Sequence, residues 1–304
     1  MTGDGNIEGT TKIFIGMGGW ELPPFNGVFY PAKLPKGFRK LEYYSQFFDM
    51  VEINATFYNT SLSPAQAQRW LKDVSQNPEF IFTIKLYRGF THTFDATRND
   101  ALAVHRMLDP LREAEKLEGL VIQFSSLFER TDERQRYLLQ LRSAFSEDPL
   151  FLDLRHSSWD NDLFYQFCRD HGLRLINVDL PTLPNHRPLH SFSWEGTAYF
   201  RMMGRNAQAW KNPADGDRYF YLYSEEELHD LVQRIHQIGA KKTYVVFHND
   251  RQAFSLVNGR QVEHALYPAK RLKAPANLLA AFPRLQPFCD LPENDRGLFS
   301  PSHG

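Results

Sequence analysis

Short apolar runs alternate with amphipathic stretches along the chain at intervals of roughly 25 to 40 residues. The apolar runs are Lys12–Gly16, Met50–Asn54, Glu79–Lys85, Gly119–Phe124, Leu150–Leu154, Leu173–Val178, Thr197–Met202 and Lys242–Phe247. Each is rich in β-branched or aromatic residues, so each predicts a strand. Between them the spacing predicts helices over Lys40–Phe48, Pro64 to Val74, Asn99–Lys116, Thr131–Phe145 and Asn161–His171. Ser63 suits a helix cap with Pro64 in the first turn, Pro110 is expected to bend or break its helix, and Gly172 reads as a stop. Ser224-Glu225-Glu226-Glu227 reads as a capping box opening the last long helix, which stops at Gly239. Eight strands alternating with helices predict an α/β fold, a single closed (β/α)8 TIM barrel rather than an open doubly wound sheet.

Two connections break the alternation, after the sixth and seventh strands. Asp179–Gly196 carries Pro181, Pro184 and Pro188 and predicts an irregular excursion. Gly204–Tyr223 interleaves Trp210, Tyr219, Phe220, Tyr221 and Tyr223 with Arg205, Lys211 and Arg218. Both follow the C-terminal ends of strands, where barrels build their sites, and long loops there act as lids or binding segments. Residues 1–11 read as a flexible N-terminal segment, 12–272 as the barrel, and 273–304 as a loosely attached C-terminal extension.

The strands share a second regularity: they end in polar groups. Glu52 and Asn54, Lys85, Gln123, Asp153 and Arg155, Asp179, Arg201, and His248-Asn249-Asp250 each close or follow an apolar run. Side chains alternate along a strand, so Val51 and Ile53 are expected to pack outward while Glu52 and Asn54 point into the mouth. Asp153 with Arg155, and Arg201 with Tyr199, share faces by the same count. A carboxylate inside a barrel must be paired, either for structure alone or within a site. Lys85, Arg155 and Arg201 would converge as cations, a setting that binds phosphate or carboxylate and depresses a lysine pKa. His92, His156 and His248 follow strand ends and are acid/base candidates. Gly16-Met17-Gly18-Gly19 matches no phosphate-loop pattern. A metal set of Glu52, Asp153, Asp179 and His248 lacks any local ligand spacing.

Composition narrows the classes. With 35 basic against 36 acidic residues, a dominant nucleic-acid or anionic-membrane surface is not expected. Two cysteines, Cys168 and Cys289, exclude a disulfide framework, and Cys168 falls in an apolar helical pattern as a small hydrophobe. No run approaches a membrane span and the N-terminus lacks a signal-peptide pattern, so a cytoplasmic setting is expected.

Several motifs in order resemble one family. They are Ile15-Gly16-Met17-Gly18-Gly19-Trp20, Gly27-Val28-Phe29-Tyr30-Pro31, Tyr43-Tyr44, and Val51 through Tyr58. They continue with Phe82–Lys85 and Thr91-His92, Gly119–Phe124, Leu154 through Trp159, Tyr199–Arg205, Tyr221–Leu228 and Tyr244–Asp250. Over residues 12 to 250 the chain resembles the domain of unknown function 72 (YecE-like) family. The resemblance implies a TIM barrel and no particular activity. The chain departs from the family pattern at five places. Met17-Gly18 stands for Thr-Ser, Phe124-Ser125-Ser126 for an apolar residue and prolines, and Asp153 for Glu. Met203 stands for a histidine and His248 for an asparagine. Were that histidine essential, this member would be altered, with His248 on the neighbouring strand the residue to compensate.

The sequence therefore predicts a barrel protein, expected to be a hydrolase or isomerase, acting on a small anionic substrate such as a phosphorylated sugar or nucleotide-like compound. Glu52, Asp153 and Lys85 are the expected catalytic groups. Trp20, Asn54, Tyr58, His92, Gln123, Arg155, His156, Asp179, Arg201, Arg205, His248 and Asn249 are expected to bind substrate. No cofactor is expected, with a divalent metal left open. A nucleic-acid-binding protein using the aromatic 204–223 segment, and a metal-dependent hydrolase, are the alternatives. No membrane partner is expected, and oligomeric state is not legible.

Overall fold

Every ladder of the principal sheet is parallel, and every strand but one bonds to the next in chain order. The structure, a computed structural model, describes residues 11–212, 214 and 216–292. The expected segments 1–11 and 273–304 thus fall partly outside the described residues. The strands are β1 (Lys12–Met17), β2 (Met50–Ile53), β3 (Ile81–Lys85), β4 (Leu117–Gln123), β5 (Leu150–Asp153), β6 (Leu173–Leu175), β7 (Asn177–Asp179), β8 (Thr197–Met202) and β9 (Lys242–Phe247). β1 bonds to both β2 and β9, while β6 and β7 lie at the two ends of the row. Ile176 alone divides β6 from β7, so the row closes there. This is the (β/α)8 barrel, with its sixth strand interrupted at one residue.

The helices are α1 (Lys40–Tyr44), α2 (Ala55–Tyr58), α3 (Pro64–Asp73), α4 (Arg98–Glu113), α5 (Asp132–Ala144), α6 (Asp162–Asp170), α7 (Ala207–Lys211), α8 (Glu225–Ile238), α9 (Phe254–Leu266) and α10 (Ala276–Ala281). The capping box opens α8 through Ser224 and Glu227, and Gly172 follows α6 at φ 62°, the left-handed conformation glycine adopts without cost. The 180–196 excursion forms no helix, as its prolines predict.

Three expectations need correction. Helix α4 runs through Pro110 unbroken. The carbonyl that loses its donor there belongs to exposed Arg106, where water can satisfy it. Helix α9, not α8, is the last long helix. Its periodicity is masked because it buries Ser255, Asn258, Arg260 and Glu263 together with apolar residues. Arg260 is held by the Phe47 carbonyl and by Glu263 at 2.7 Å, which makes that burial tolerable. Nor is the chain after 273 loosely attached as far as residue 292. Leu278, Leu285 and Cys289 enter the core, and β10 (Leu272–Lys273) pairs with β11 (Cys289–Asp290).

Two apolar layers position the site. The larger lies between strands and helices. The smaller fills the lumen with Phe14, Met50, Ile81, Val121, Phe151, Tyr199, Tyr244 and Val246. The lumen thus has an apolar floor, and the polar strand ends stand above it.

Candidate functional site

Strand register decides which polar ends meet. Met50 pairs with Ile81 and Glu52 with Thr83. Val121 pairs with Phe151 and Gln123 with Asp153, while Tyr199 pairs with Tyr244. Because residues two apart share a face, Glu52, Thr83, Gln123, Asp153 and Arg201 all stand one step above the apolar floor.

Arg201 joins them across the lumen. Only 1% exposed, it donates from Nη2 to Glu52 Oε1 at 2.8 Å and from Nη1 to Gln123 Oε1 at 2.9 Å and to Asp153. Its Nε reaches His248 Nε2 at 3.2 Å. The same His248 Nε2 lies 3.3 Å from Glu52 Oε1, so the imidazole touches both members of the central ion pair. Arg155 closes the other side of Asp153 with paired bonds of 3.0 Å from Nε and Nη2. Tyr199 donates to Glu52 Oε2 at 2.8 Å, which leaves the Thr83 hydroxyl to donate back to the phenol. Tyr199 was not among the expected site residues, although its place two before Arg201 on one face was the signal for it.

The carboxylates are locked as anions. Burial raises the Glu52 carboxyl, but Arg201 and His248 outweigh it and hold it well below the usual range. Burial also opposes ionisation of Asp153, and Arg155 and Arg201 reverse that. Two carboxylates thus face two guanidiniums, and the local charge closes. Lys85 is surplus to that balance. It makes no ion pair or hydrogen bond from Nζ among the described residues and lies 4.0 Å from the centre of the Phe57 ring. Burial, then repulsion from Arg201 and Arg155, bring its ammonium down to about 7. Burial and the charges of Lys85 and Arg155 lower His92 to about 4, and burial with Arg201 does the same to His248. Lys85, Gln123 and His92 keep partial exposure, so solvent meets the cluster at those residues.

The structure does not bring every expected residue to this cluster. Asp179 pairs with Met202, on the outward face of the wall. There it takes Arg205 at 2.8 to 3.0 Å and the Tyr223 hydroxyl at 2.6 Å, with Glu227 holding Arg205 Nη1 at 2.9 Å. Asn249 likewise points outward and bonds Asn258 and the Tyr221 carbonyl. His156 caps the short turn Ser157–Trp159 through Nδ1. Trp20 packs edge-on against Trp70 beside a groove of about 490 Å³ that shares no residue with the cluster. Tyr58 is 72% exposed. Asn54 reaches the Gly18 carbonyl at 2.6 Å. With Asp179 turned away and both other carboxylates held by arginine, the imagined metal set does not assemble. No group of three or more metal-ligating side chains converges among the described residues. Of the aromatics in 204–223, Trp210 and Tyr223 are buried, and only Tyr219 and Phe220 stand exposed.

Comparison with known proteins agrees with this architecture. Residues 14–280 match the model of the family described as Protein of unknown function DUF72. The chain belongs to the DUF72 family. The UPF0759 protein YunF of Bacillus subtilis (strain 168) is 28% identical over 270 residues, 82% of this chain and 93% of that one. A DUF72 family protein of Thermotoga maritima, solved by crystallography, is 31% identical with a TM-score of 0.74, over 84% of this chain and 99% of its own. One from Enterococcus faecalis shares 25% identity with a TM-score of 0.71, over 84% and 98%.

Two departures from the DUF72 pattern, Gly18 and His248, meet in space. A Cβ built on Gly18 would lie 2.3 Å from His248 Nδ1, far inside contact distance. The imidazole occupies the space a side chain at 18 would need, so histidine at 248 requires glycine at 18. Met203, where the family pattern has histidine, is buried in the lumen cluster. No helix among the described residues is long and apolar enough to cross a membrane.

Proposed function

We propose that the barrel mouth binds a small anionic substrate, a phosphorylated sugar or nucleotide-like compound, and hydrolyses or isomerises it with Lys85 as the proton-transferring group. The observation that carries this is Lys85, an ammonium without a carboxylate partner among the described residues, beside a network whose charges already cancel. An arriving anion supplies the missing counter-charge and favours the protonated lysine. Glu52 and Asp153, held ionised, fix Arg201 and Arg155 in place and carry no proton at neutral pH. Gln123 and His92, partly exposed beside Lys85, orient the substrate.

The test has two stages. Sulfate, which does not titrate near neutrality, is measured by calorimetry against wild type, Lys85→Met and Lys85→Arg. Phosphorylated sugars and nucleotides are then screened for turnover. Lys85→Met is expected to lose both binding and turnover, and Lys85→Arg to keep binding and lose turnover. Undiminished turnover in both variants would end the reading.

A further inference from the structure

A second set of donors lies beside the first, built by the two long loops and absorbed neither by the core nor by the central cluster. Trp210, on α7, is buried in the lumen layer, yet its indole Nε1–H finds no acceptor among the described residues. Two guanidiniums lie against that one ring: Arg218 at 5.1 Å and Arg155 at 5.6 Å from its centre. Arg218 has no ion pair among the described residues, only a long bond of 3.4 Å to the Ala209 carbonyl. Arg155 spends Nε and Nη2 on Asp153, and its Nη1 is unbonded within the described chain. His186 stands edge-on to the same ring at 5.6 Å, with Nδ1 tied to the Pro181 carbonyl.

The chemistry of this group is one-sided. An unpartnered buried N–H and two incompletely paired guanidiniums offer donors without acceptors, a composition that suits an anion. Arg155 belongs to both sets, because it bonds Asp153 of the central cluster and lies against the Trp210 ring. The two receptors therefore adjoin.

We infer that the site takes a substrate with two anionic groups, a diphosphate or bisphosphate, one group at Lys85 and the second held by Arg218, Arg155 and the Trp210 indole N–H. This rests on the mouth binding an anion at Lys85. Trp210 anchors the guanidiniums and lends its N–H, while its buried ring face is closed to base stacking. A single-phosphate substrate would leave the second receptor empty.

The experiment compares inorganic pyrophosphate with sulfate by calorimetry at fixed ionic strength and without divalent cations. Wild type, Arg218→Gln, Trp210→Phe and Lys85→Met are measured, each checked for native circular dichroism. Pyrophosphate is expected to bind at least about tenfold more tightly than sulfate. Arg218→Gln, a change on a partly exposed loop, should bring pyrophosphate down to the sulfate level and leave sulfate itself unchanged. Trp210→Phe, which keeps the ring and removes the N–H, should lower pyrophosphate selectively. Equal affinity for the two anions in wild type would overturn the second receptor while leaving the Lys85 reading intact. An equal loss of both anions in Arg218→Gln would overturn it as well. Failure of both anions to bind wild type would remove both readings.

Discussion

Two carboxylate–guanidinium networks occupy opposite faces of the same wall, and their difference separates a site from a brace. Inside, Arg201 spans Glu52 and Asp153 with Arg155 beside them, and Lys85 adds a cation with no ion pair among the described residues. Outside, Asp179 takes three short bonds from Arg205 and one from Tyr223, and Glu227 completes Arg205. The outer set satisfies itself and ties β7 to the start of α8. The inner set balances its carboxylates and then presents an extra positive charge where solvent enters. Self-sufficiency marks the brace, and the surplus charge marks the candidate site.

The strongest way to break this contrast is to remove each arginine in turn. Arg201→Ala strands the fully buried Glu52 and leaves Asp153 with Arg155 alone, and breaking a buried pair costs about 3–5 kcal/mol. Arg205 is partly exposed, so Arg205→Ala lets water reach Asp179 and should cost about 1–3 kcal/mol. Urea denaturation of both variants measures the gap. Equal losses would mean that the two networks serve the same structural purpose.

The next effect concerns the floor under His248. Gly18→Ala drives a methyl against the imidazole, an overpacking expected to cost about 1–3 kcal/mol. Adding His248→Ala opens the space, so the double variant should be more stable than the sum of the two single losses. Strict additivity in a thermal-melt cycle would show that the two positions do not share that space.

Much of this was legible in the chain before folding. Alternation placed Thr197–Met202 and Lys242–Phe247 without error and put Glu52, Asp153 and Arg201 on the lumen side. Asp179 was grouped with the mouth residues by its place at a strand end, not by its face. Leu173 and Leu175 pack outward while Ile176 and Val178 face the lumen, so the same count carried on puts Asp179 outward, opposite Met202. Helix α9 escaped because its buried polar residues find partners in distant segments, and periodicity cannot report those. The ionised state of Glu52 and Asp153 was hidden for a similar reason. Which group carries a proton depends on how completely arginines surround each carboxylate, and that is a property of packing across the lumen.

Titration sharpens the inner network further. The surroundings lower Lys85 to about 7 from an ordinary lysine value near 10.5. Glu52 and Asp153 pull that value up, while burial, Arg201 and Arg155 push it down. The folded chain thus binds fewer protons than the unfolded chain between those values, and stability rises with pH across that window. Below pH 7 the group adds nothing. Anion affinity carries the opposite sign, because the anion needs the ammonium. Sulfate binding should be pH-independent well below 7 and fall roughly tenfold per pH unit above it. Lys85→Met should abolish both slopes. A melting curve and a binding curve that keep their slopes in the variant would assign them to another group.

The smallest expected effect marks where the site ends. Tyr58 was expected to bind substrate, yet its ring stands in solvent at the end of α2, edge-on to Phe57. Phe57 itself lies against Lys85. If the anion is held by charge at the mouth, the Tyr58 phenol contributes nothing to it, and Tyr58→Ala should change stability by no more than about 0.5 kcal/mol. Sulfate affinity should stay at the wild-type value. Phe57→Ala is the matching control, since it removes the apolar face beside the lysine and readmits water there. The Lys85 pKa should then climb back toward its ordinary value, moving the midpoint of the sulfate pH profile upward. A Tyr58→Ala protein that lost sulfate, beside a Phe57→Ala protein that kept its profile, would place the boundary of the site farther out than charge alone can set it.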